Sequence, residues 1–373
     1  MRWVFWTAVG LVTHAYVGYP VWLWLRSHWA PRPVLRGHEE FSVTAVMVVR
    51  NEEAVLARKL DNLLALDYPQ DRFDVVVVSD GSTDRTPAII ADFERRPRVR
   101  ALIKQEAQGK AAGLNDAMQL VTGQLVLFTD ARQQIERGAL RWLVENFADA
   151  EVGAASGELM LGDPATGETS MGTGGYWRIE KKVRQLESAS GSVVGATGAI
   201  YCARRNLFDA LPVATVLDDV LIPMQIVSRG KRVVLDSRAR AWDSPDLGQR
   251  REFMRKVRTL SGNYQLLQLA PWLLSPKNPI RFEFVSHKLL RLAVPFALLA
   301  LLAASLFLPQ PFYRAALATQ IAFYGLSLAA VAKLRIGPLS RPADAARTFL
   351  VLNSAAVVAF VNFVTGRKVS WVR

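Results

Sequence analysis

The chain divides into stretches with two different patterns of apolar and polar positions. From Val43 to Val121, short apolar runs alternate with segments whose apolar residues recur every three or four positions. Runs of the first kind are typical of buried parallel strands, and the second spacing is typical of amphipathic helices. The pattern predicts strands at 43–49, 73–78, 99–103 and 124–129 and helices at 52–66 and 109–121. Because strands and helices alternate, we expect an α/β domain with a parallel, doubly wound sheet.

Beyond Ala150 the pattern is less regular. Residues 162–175 are rich in Gly and Thr, which favours a loop. From Tyr176 to Leu186, apolar residues at helical spacing with basic residues between them predict an amphipathic helix. Residues 264–274 predict a helix that lies along a membrane surface rather than crossing it.

Both ends of the chain contain long apolar runs. Residues 3–25 carry no charge, and about 23 residues at roughly 1.5 Å each span a hydrocarbon core of about 30 Å. Tryptophans at both ends of this run favour a retained membrane anchor over a cleaved signal peptide. Further membrane segments are predicted at 289–308, 312–331 and, over a shorter run, 349–364.

Basic residues set the expected orientation of these segments. Arg26, Arg32 and Arg36 follow the first apolar run, so the positive-inside rule places the next domain in the cytoplasm. Four spans would put Lys368 and Arg373 on the outer side, against the same rule. We therefore expect the last segment to be re-entrant or interfacial, unless the count of spans is wrong by one.

These patterns predict four parts of the chain. They are an N-terminal transmembrane anchor and linker at 1–36, an α/β domain at 37–262, interfacial helices at 263–288 and C-terminal transmembrane helices at 289–373. Pro31 and Pro33 mark the linker.

Composition narrows the class of partner. The 373 residues are 51% hydrophobic with a net charge of +13, and about ten Lys or Arg fall between 229 and 258. Such a charge fits nucleic acid, phospholipid headgroups or a phosphorylated substrate, and the long apolar runs favour the last two. The single cysteine, Cys202, excludes an intramolecular disulfide, and no Cys/His cluster has the spacing of a zinc site.

Candidate chemistry lies where the predicted strands end. Asp80 and Asp130 each follow a strand, and the carboxyl ends of parallel strands share the edge where α/β sheets bind ligands. The run from Asp80 to Asp84 has an alternative interpretation, because Asp84 could cap the next helix and the run would then be a capped turn that binds no ligand. Gly109 and Lys110 at a helix start form an anion site. They match neither a Walker A loop nor a GxGxxG fingerprint, which disfavours P-loop hydrolysis and dinucleotide redox chemistry.

A second carboxylate site is the pair Asp218 and Asp219 in an apolar neighbourhood. One carboxylate site that holds a hard divalent cation and another that takes a proton are what sugar transfer from a nucleotide diphosphate requires. The alternative for the pair is a solvated acidic helix N-terminus.

In this order the motifs resemble those of family 2 glycosyltransferases. The motifs are Arg50-Asn-Glu-Glu53, Asp80 to Asp84, Gly109-Lys110, Asp130, and Asp218-Asp219. The resemblance covers roughly residues 43–262, and the apolar flanks look like those of the membrane-embedded branch that includes hyaluronan, cellulose and poly-N-acetylglucosamine synthases. It implies a GT-A domain, a Rossmann-like α/β sandwich.

The resemblance also implies roles for single residues. Asp80 would contact the nucleobase, and Lys110 and Asp130 would serve the nucleotide and its Mg²⁺ or Mn²⁺, with Asp130 as metal ligand. Asp219, beside Asp218, would be the general base. Arg50 and Glu52 would belong to the nucleotide-sugar site.

Two positions depart from the family pattern. Arg132 replaces the second metal-side Asp, so it would either neutralise the diphosphate or pair with Asp130 and alter metal dependence. The basic motif of processive members appears as Arg255-Lys256-Val257-Arg258-Thr259, without its Trp, which weakens a processive interpretation. Arg255 and Arg258 would share one helix face and clamp a diphosphate or contact anionic lipid.

The sequence therefore predicts an inverting, membrane-bound glycosyltransferase. It would move a sugar from a UDP-sugar to a polysaccharide or lipid hydroxyl at the cytoplasmic face of a multi-pass protein, most simply of a bacterial inner membrane. A resemblance to ceramide glucosyltransferases and the small number of spans favour a lipid acceptor or a partner subunit. A catalytically silent scaffold of a polysaccharide export complex is the alternative, motivated by Arg132 and Thr259. Nucleic-acid binding rests on charge alone and is not expected.

Overall fold

The computed structural model describes residues 1–163, 175–244, 248–332, 334 and 337–367. The strands within them are β1 (Val43–Val49), β2 (Phe73–Asp80), β3 (Val99–Lys104), β4 (Leu125–Phe128), β5 (Gln134–Ile135), β6 (Val152–Leu161), β7 (Tyr201–Arg204) and β8 (Arg232–Asp243). The α-helices are α1 (Arg2–Thr13), α2 (Tyr19–Trp29), α3 (Leu56–Leu64), α4 (Thr86–Glu94), α5 (Lys110–Leu120), α6 (Ala139–Glu145), α7 (Gly175–Ser190), α8 (Asp218–Ser228), α9 (Gly248–Leu269), α10 (Arg281–Phe284), α11 (Leu290–Leu306), α12 (Pro311–Val331) and α13 (Ser340–Val364). Most of the predicted loop at 162–175, and Lys368 and Arg373, lie outside the described residues.

The strands form one mixed sheet in the order β3-β2-β1-β4-β7-β6-β8-β5. β1 to β4 pair in parallel, as the sequence predicts for this half. β7 runs antiparallel to β4 and to β6, and β5 runs antiparallel to β8, whereas β6 and β8 pair in parallel. The prediction of a parallel sheet is therefore wrong for the second half, which is mixed. β7 inserts between two strands that precede it in the chain, and a short apolar run does not encode the direction in which it pairs.

Helices cover both faces of the sheet. In β1, Val43 and Met47 belong to one apolar core cluster, while Val46 and Val48 belong to a second cluster on the opposite face. Successive side chains of a strand alternate between faces, and every residue of β1 is buried. Each buried valine contributes roughly 1.5–3 kcal/mol relative to an exposed one. Burial on both faces is why these strands read as unbroken apolar runs.

Three helices of the described chain have the length and apolar composition of membrane spans. They are Arg281–Leu306, Pro311–Val331 and Pro342–Val364. They match the three predicted C-terminal runs, although the first starts earlier and the last is longer than predicted. The first joins α10 and α11 through a π-helical turn, Val285–Leu289.

The N-terminal helix is not among these three candidates. α1 and α2 join through a π-helical turn, His14–Gly18, into one helix that packs against the C-terminal helices. The ring of Phe5 lies 4.8 Å from the ring of Tyr313, and Nε2 of His14 lies 3.1 Å from Oγ of Ser286. The membrane anchor at this end stays a prediction, supported by packing against a candidate span.

α13 runs beside α9. The ring of Tyr264 stacks on that of Phe363 at 5.2 Å, and Arg347 acts electrostatically on Glu252 near the other end of α9. The predicted helix at 264–274 is instead the end of α9, which begins at Gly248, followed by a 3₁₀ turn at Pro271–Leu274. The interfacial or re-entrant placement expected for the last segment, which is part of α13, stays a prediction.

Candidate functional site

Three segments distant in sequence converge on Lys110, the first residue of α5. Its Nζ lies 2.9 Å from Oδ1 of Asp130, which follows β4, and 3.0 Å from Oδ2 of Asp218, which begins α8. Burial alone would lower the pKa of Lys110, but the carboxylates of Asp130, Asp218 and Asp219 raise it above its ordinary value. The ammonium therefore stays charged and joins the carboxylates that the sequence assigns to two separate motifs.

Asp219 is the carboxylate of this cluster best suited to take a proton. Burial, then the neighbouring charge of Asp218, raises its pKa from 3.8 to about 6, although Lys110 and Lys288 act in the opposite direction. Asp219 is partly exposed, whereas Asp218 is buried. A carboxylate that is accessible and has a pKa near the working pH is a suitable general base.

Asp80 positions the segment that precedes Lys110. Its Oδ1 and Oδ2 accept hydrogen bonds from the backbone N–H groups of Gln108 and Gly109, each at 2.8 Å. Gly81 has φ +62°, and a Cβ there would lie 2.4 Å from the backbone nitrogen of Ala107. The end of β2 thus fixes the start of α5. The predicted contact of Asp80 with a nucleobase stays a prediction.

The segment from Arg50 to Glu53 is a loop that interlocks with the turn after β2. The backbone N–H of Glu52 donates to Oγ1 of Thr86 at 2.9 Å, and that of Glu53 donates to Oδ2 of Asp84 at 3.2 Å. These bonds explain why α3 begins at Leu56 rather than at residue 52 as predicted. Asp84, expected to cap a helix, also receives the N–H of Thr86 at 2.9 Å.

Two predicted nucleotide-sugar residues lie on this loop. Burial raises the pKa of Glu52, with a lowering effect of Arg132 and a raising effect of Asp130. Glu52 is therefore within electrostatic reach of the carboxylate cluster. Arg50 is exposed at the end of β1.

Arg132 pairs with a residue that the sequence analysis did not consider. Its Nη2 lies 3.1 Å from Oδ1 of Asp243, the last residue of β8, whose Oδ2 accepts from Nε2 of Gln133 at 2.9 Å. Of the two expected alternatives, a pairing with Asp130 is therefore replaced by a pairing with Asp243. Arg132 is still near enough to act on Glu52.

The basic pair of the processive-like motif lies on α9. Arg255 is exposed and Arg258 is half-buried. One turn further on, Gly262 packs so closely on Leu217 that a Cβ would lie 2.6 Å from its Cγ. Since Leu217 precedes Asp218, α9 reaches the edge of the site through Gly262. A diphosphate clamp by the two arginines stays a prediction.

Two residues of the site were missed by sequence reasoning. Lys59 is buried under the segment after β4, where its Nζ donates to Oγ1 of Thr129 at 2.8 Å and to the carbonyl of Gln133 at 2.7 Å. Burial lowers its pKa from 10.5 to about 7, against a raising effect of Asp130. The signal was available, because a lysine on the apolar face of a predicted helix is unusual.

Tyr201 is the second missed residue. It is fully buried, its ring stacks on Phe128 at 4.8 Å, and its hydroxyl has no hydrogen-bond partner among the described residues. Burial raises the pKa of the Tyr201 hydroxyl above its ordinary value, and the charges of Asp218 and Asp219 raise it further. It therefore packs as a neutral wall of the carboxylate cluster. No local pattern in the sequence marks it.

The residues present fit a divalent cation bound together with a nucleotide. Lys110 is bonded to Oδ1 of Asp130. Oδ2 of Asp130 and Oδ2 of Asp219 both lie near Gly198, since a Cβ built on this glycine would be 3.2 Å from the first oxygen and 3.6 Å from the second. No group of three Asp, Glu, His or Cys side chains converges within the part of the chain that the structure describes. Mg²⁺ is commonly held by one or two carboxylates plus substrate phosphates, so Asp130 with a donor diphosphate would form a sufficient ligand set.

Comparison with known proteins shows what the chain is similar to. Residues 44–211 match the family model described as Glycosyl transferase family 2. A beta-monoglucosyldiacylglycerol synthase of Synechocystis sp. is 27% identical over 190 residues, which are 49% of this chain and 40% of that protein. A poly-beta-1,6-N-acetyl-D-glucosamine synthase of Staphylococcus aureus is 21% identical over 215 residues, 57% of this chain and 52% of that protein. The matches thus span about half or less of these relatives.

A solved structure shares the fold along nearly the whole chain. It is the mannosyltransferase PcManGT from Pyrobaculum calidifontis in complex with GDP-Man and Mn²⁺, with a TM-score of 0.73, 24% identity, and coverage of 98% of this chain and 100% of that one. This likeness confirms the predicted GT-A fold. The family model alone assigns residues 44–211 to glycosyl transferase family 2.

Proposed function

We propose that the protein is an inverting glycosyltransferase that moves a sugar from a nucleotide diphosphate sugar, a UDP-sugar in the first instance, to a hydroxyl of a lipid or polysaccharide. The observation that carries the proposal is the contrast between two carboxylates beside Gly198. Asp130 is neutralised by Lys110, whereas Asp219 has a pKa raised to about 6. A carboxylate held in an ion pair and a carboxylate with a raised pKa are suited to different steps of one reaction.

The proposed reaction is a single displacement. Asp219 takes the proton of the acceptor hydroxyl while its oxygen forms a bond to the anomeric carbon. The bond between that carbon and the diphosphate oxygen breaks, which inverts the configuration. Lys110 offsets the negative charge that develops on the leaving diphosphate. A divalent cation held by Asp130, when bound, would supply further charge neutralisation.

The membrane helices support an acceptor that is presented by the bilayer. The three candidate spans would hold the domain beside lipid, and the basic residues after the N-terminal helix favour a cytoplasmic position. One of the relatives described above is named for a glycolipid product and another for a polysaccharide, so both acceptor classes are retained, with the lipid favoured.

The test is nucleotide release by the full-length protein in detergent. The donors are UDP-glucose, UDP-N-acetylglucosamine, UDP-galactose and GDP-mannose, each with diacylglycerol, phospholipid or oligosaccharide acceptors and with Mg²⁺, Mn²⁺ or EDTA. We expect one donor to turn over, loss of turnover in Asp219→Asn, and loss in EDTA. Turnover that persists in Asp219→Asn would overturn the role of the base.

The scaffold alternative predicts a different result. It predicts no turnover with any donor and acceptor, including membranes that supply partner subunits. Binding of the free nucleotide, measured by calorimetry, separates an inactive protein with an intact donor site from one without a site.

A further inference from the structure

A lysine of the first candidate membrane span interacts electrostatically with the carboxylate cluster. Lys288 lies in the π-helical turn Val285–Leu289 of the first candidate span, and its charge and that of Asp219 act on each other. Ionisable residues in membrane helices are costly, and those that persist usually serve a substrate or an ion. Single π-helical turns are also frequent at functional sites.

The acidic neighbours of Lys288 are paired with other groups. The ring of His287 lies between Glu187, with Nδ1 2.7 Å from Oε1, and Glu180, with Nε2 2.8 Å from Oε1. Nη1 of Arg291 donates to Oε2 of Glu180 at 2.5 Å. These carboxylates therefore do not depend on Lys288 for a hydrogen-bonded cation.

Nζ of Lys288 itself makes no hydrogen bond or ion pair with any residue in the described part of the chain, although it feels the charges of Glu180, Glu187 and Asp219. Its side chain is only partly exposed. An ammonium taken partly out of water without an acceptor is costly. An anionic ligand at this position would supply the missing partner.

A second cation lies beside the same segment. Nη2 of Arg184, on α7, donates to the carbonyl of Gly195 at 3.2 Å and to Oγ of Ser156 at 3.0 Å. The next residue, Ala196, donates its N–H to the backbone carbonyl of Asp219 at 2.8 Å. Both bonds of Arg184 use one nitrogen, so its remaining N–H donors can bind an anion.

We propose that Lys288 and Arg184 form an acceptor subsite that binds the phosphate of a membrane lipid whose free hydroxyl reaches Asp219. The inference rests on the proposed function, because it names the class of acceptor. Lys110 and Asp130 serve the donor, whereas Lys288 comes from the membrane helices. A phosphoglycerolipid with a hydroxyl in its headgroup, such as phosphatidylglycerol, carries both groups a few bonds apart.

The experiment compares two acceptors with the full chain in neutral detergent. Dioctanoyl phosphatidylglycerol carries the phosphate, and dioctanoylglycerol lacks it. At pH 8, well above the pKa of about 6 of Asp219, we expect KM of Lys288→Met for the phospholipid to rise about tenfold, the effect of losing roughly 1.4 kcal/mol in a charged hydrogen bond, with kcat changed little. KM for dioctanoylglycerol and the Kd of UDP stay unchanged. Lys288→Arg restores most of the loss, and Lys182→Met, an exposed residue of α7, is the matched control.

Binding without a donor separates this proposal from the proposed function. Dioctanoyl phosphatidylglycerol is expected to raise the melting temperature of the wild type and of Lys182→Met, but not of Lys288→Met, whether or not any sugar is transferred. An equal rise in Lys288→Met, or an equal increase of KM for both acceptors, overturns the subsite. Weaker binding of UDP in Lys288→Met overturns it as well, since the lysine would then serve the donor diphosphate.

Discussion

Nζ of Lys110 lies 3.0 Å from Oδ2 of Asp218, so the first residue of α5 is bonded to the first residue of α8. The two residues are far apart in sequence, and the carboxylate of Asp80 together with the tight packing at Gly81 fixes the loop that brings Lys110 into place. This ion pair connects the donor side of the site, at Asp130, with the side of the proposed base, at Asp219.

Replacement of Lys110 by Met is therefore expected to have two effects. The rate of nucleotide release should fall by about 10²-fold, a typical cost of removing one charge-stabilising donor. The acid limb of the pH profile should also move to higher pH, because Lys110 lowers the pKa of Asp219 and its removal raises that pKa. Steady-state kinetics from pH 5 to pH 8 check both effects. Lys182→Met is the control, and an unchanged acid limb would contradict the role of Lys110.

Asp219 predicts the pH dependence of activity. With its pKa raised to about 6 by burial and Asp218, kcat/KM is expected to fall tenfold per pH unit below about pH 6, as the base becomes protonated. The profile of kcat/KM over pH 4.5–8 tests this. An acid limb with a midpoint near 3.8, the ordinary carboxylate pKa, would mean that a group other than this raised carboxylate controls activity.

Protonation of Asp219 lowers activity, but it is expected to stabilise the folded state. Between about pH 4 and pH 6 the folded state holds a proton on Asp219 that the unfolded state has released. The contribution of Asp219 to folding is therefore lost as the pH rises through about 6. Asp219→Asn is expected to be inactive and yet to melt at a higher temperature than the wild type at pH 7.5. A lower melting temperature would show that the side chain is needed for folding.

Much of the donor half of the fold follows from local sequence. β1, β2 and β4 are buried on both faces, so each reads as an apolar run, and Asp80 and Asp130 are placed by the ends of two of those runs. The same reasoning cannot supply partners that tertiary structure brings together. Arg132 meets Asp243 from the far edge of the sheet, and Lys288 approaches Asp219 from a membrane helix.

Lys59 is an intermediate case. Leu56, Leu60 and Leu63 define the apolar face of α3, and Lys59 lies on that face. Its position predicts burial, but its hydrogen-bond partners after β4 depend on how α3 docks on the sheet. The sequence therefore shows that a charged residue lies on an apolar helix face, but it does not show which groups form hydrogen bonds with that residue.

Lys59→Met is expected to destabilise the protein and weaken donor binding. The variant leaves the carbonyl of Gln133 without its buried partner, which costs about 1–3 kcal/mol. It also releases the segment that carries Asp130, so the Kd of the donor nucleotide should rise. Chemical denaturation and calorimetry measure the two effects. Arg58→Met, an exposed change on the same helix, is the control.

The pH dependence distinguishes Lys59 from a simple packing residue. Because burial lowers its pKa from 10.5 to about 7, the unfolded chain holds a proton that the folded chain releases between these pH values. The wild type therefore loses stability from this group as the pH falls from about 10 to about 7. The difference in the free energy of unfolding between the wild type and Lys59→Met should therefore narrow as the pH falls over that range. A constant difference would mean that Lys59 titrates normally in the folded protein.

Gly198 offers a test of the space between the two functional carboxylates. A Cβ there would lie 3.2 Å from Oδ2 of Asp130 and 3.6 Å from Oδ2 of Asp219, so a methyl group would occupy the position where the cation and the reacting atoms are proposed to meet. The first distance is tighter than most Cβ contacts, and Asp130 must shift to accept it. We expect Gly198→Ala to lose most nucleotide release and to bind Mn²⁺ with UDP more weakly, while the melting temperature changes little. Gly191→Ala, where the nearest atom is 3.6 Å away, is the matched control in the same loop. Full activity in Gly198→Ala would place the chemistry away from these two carboxylates.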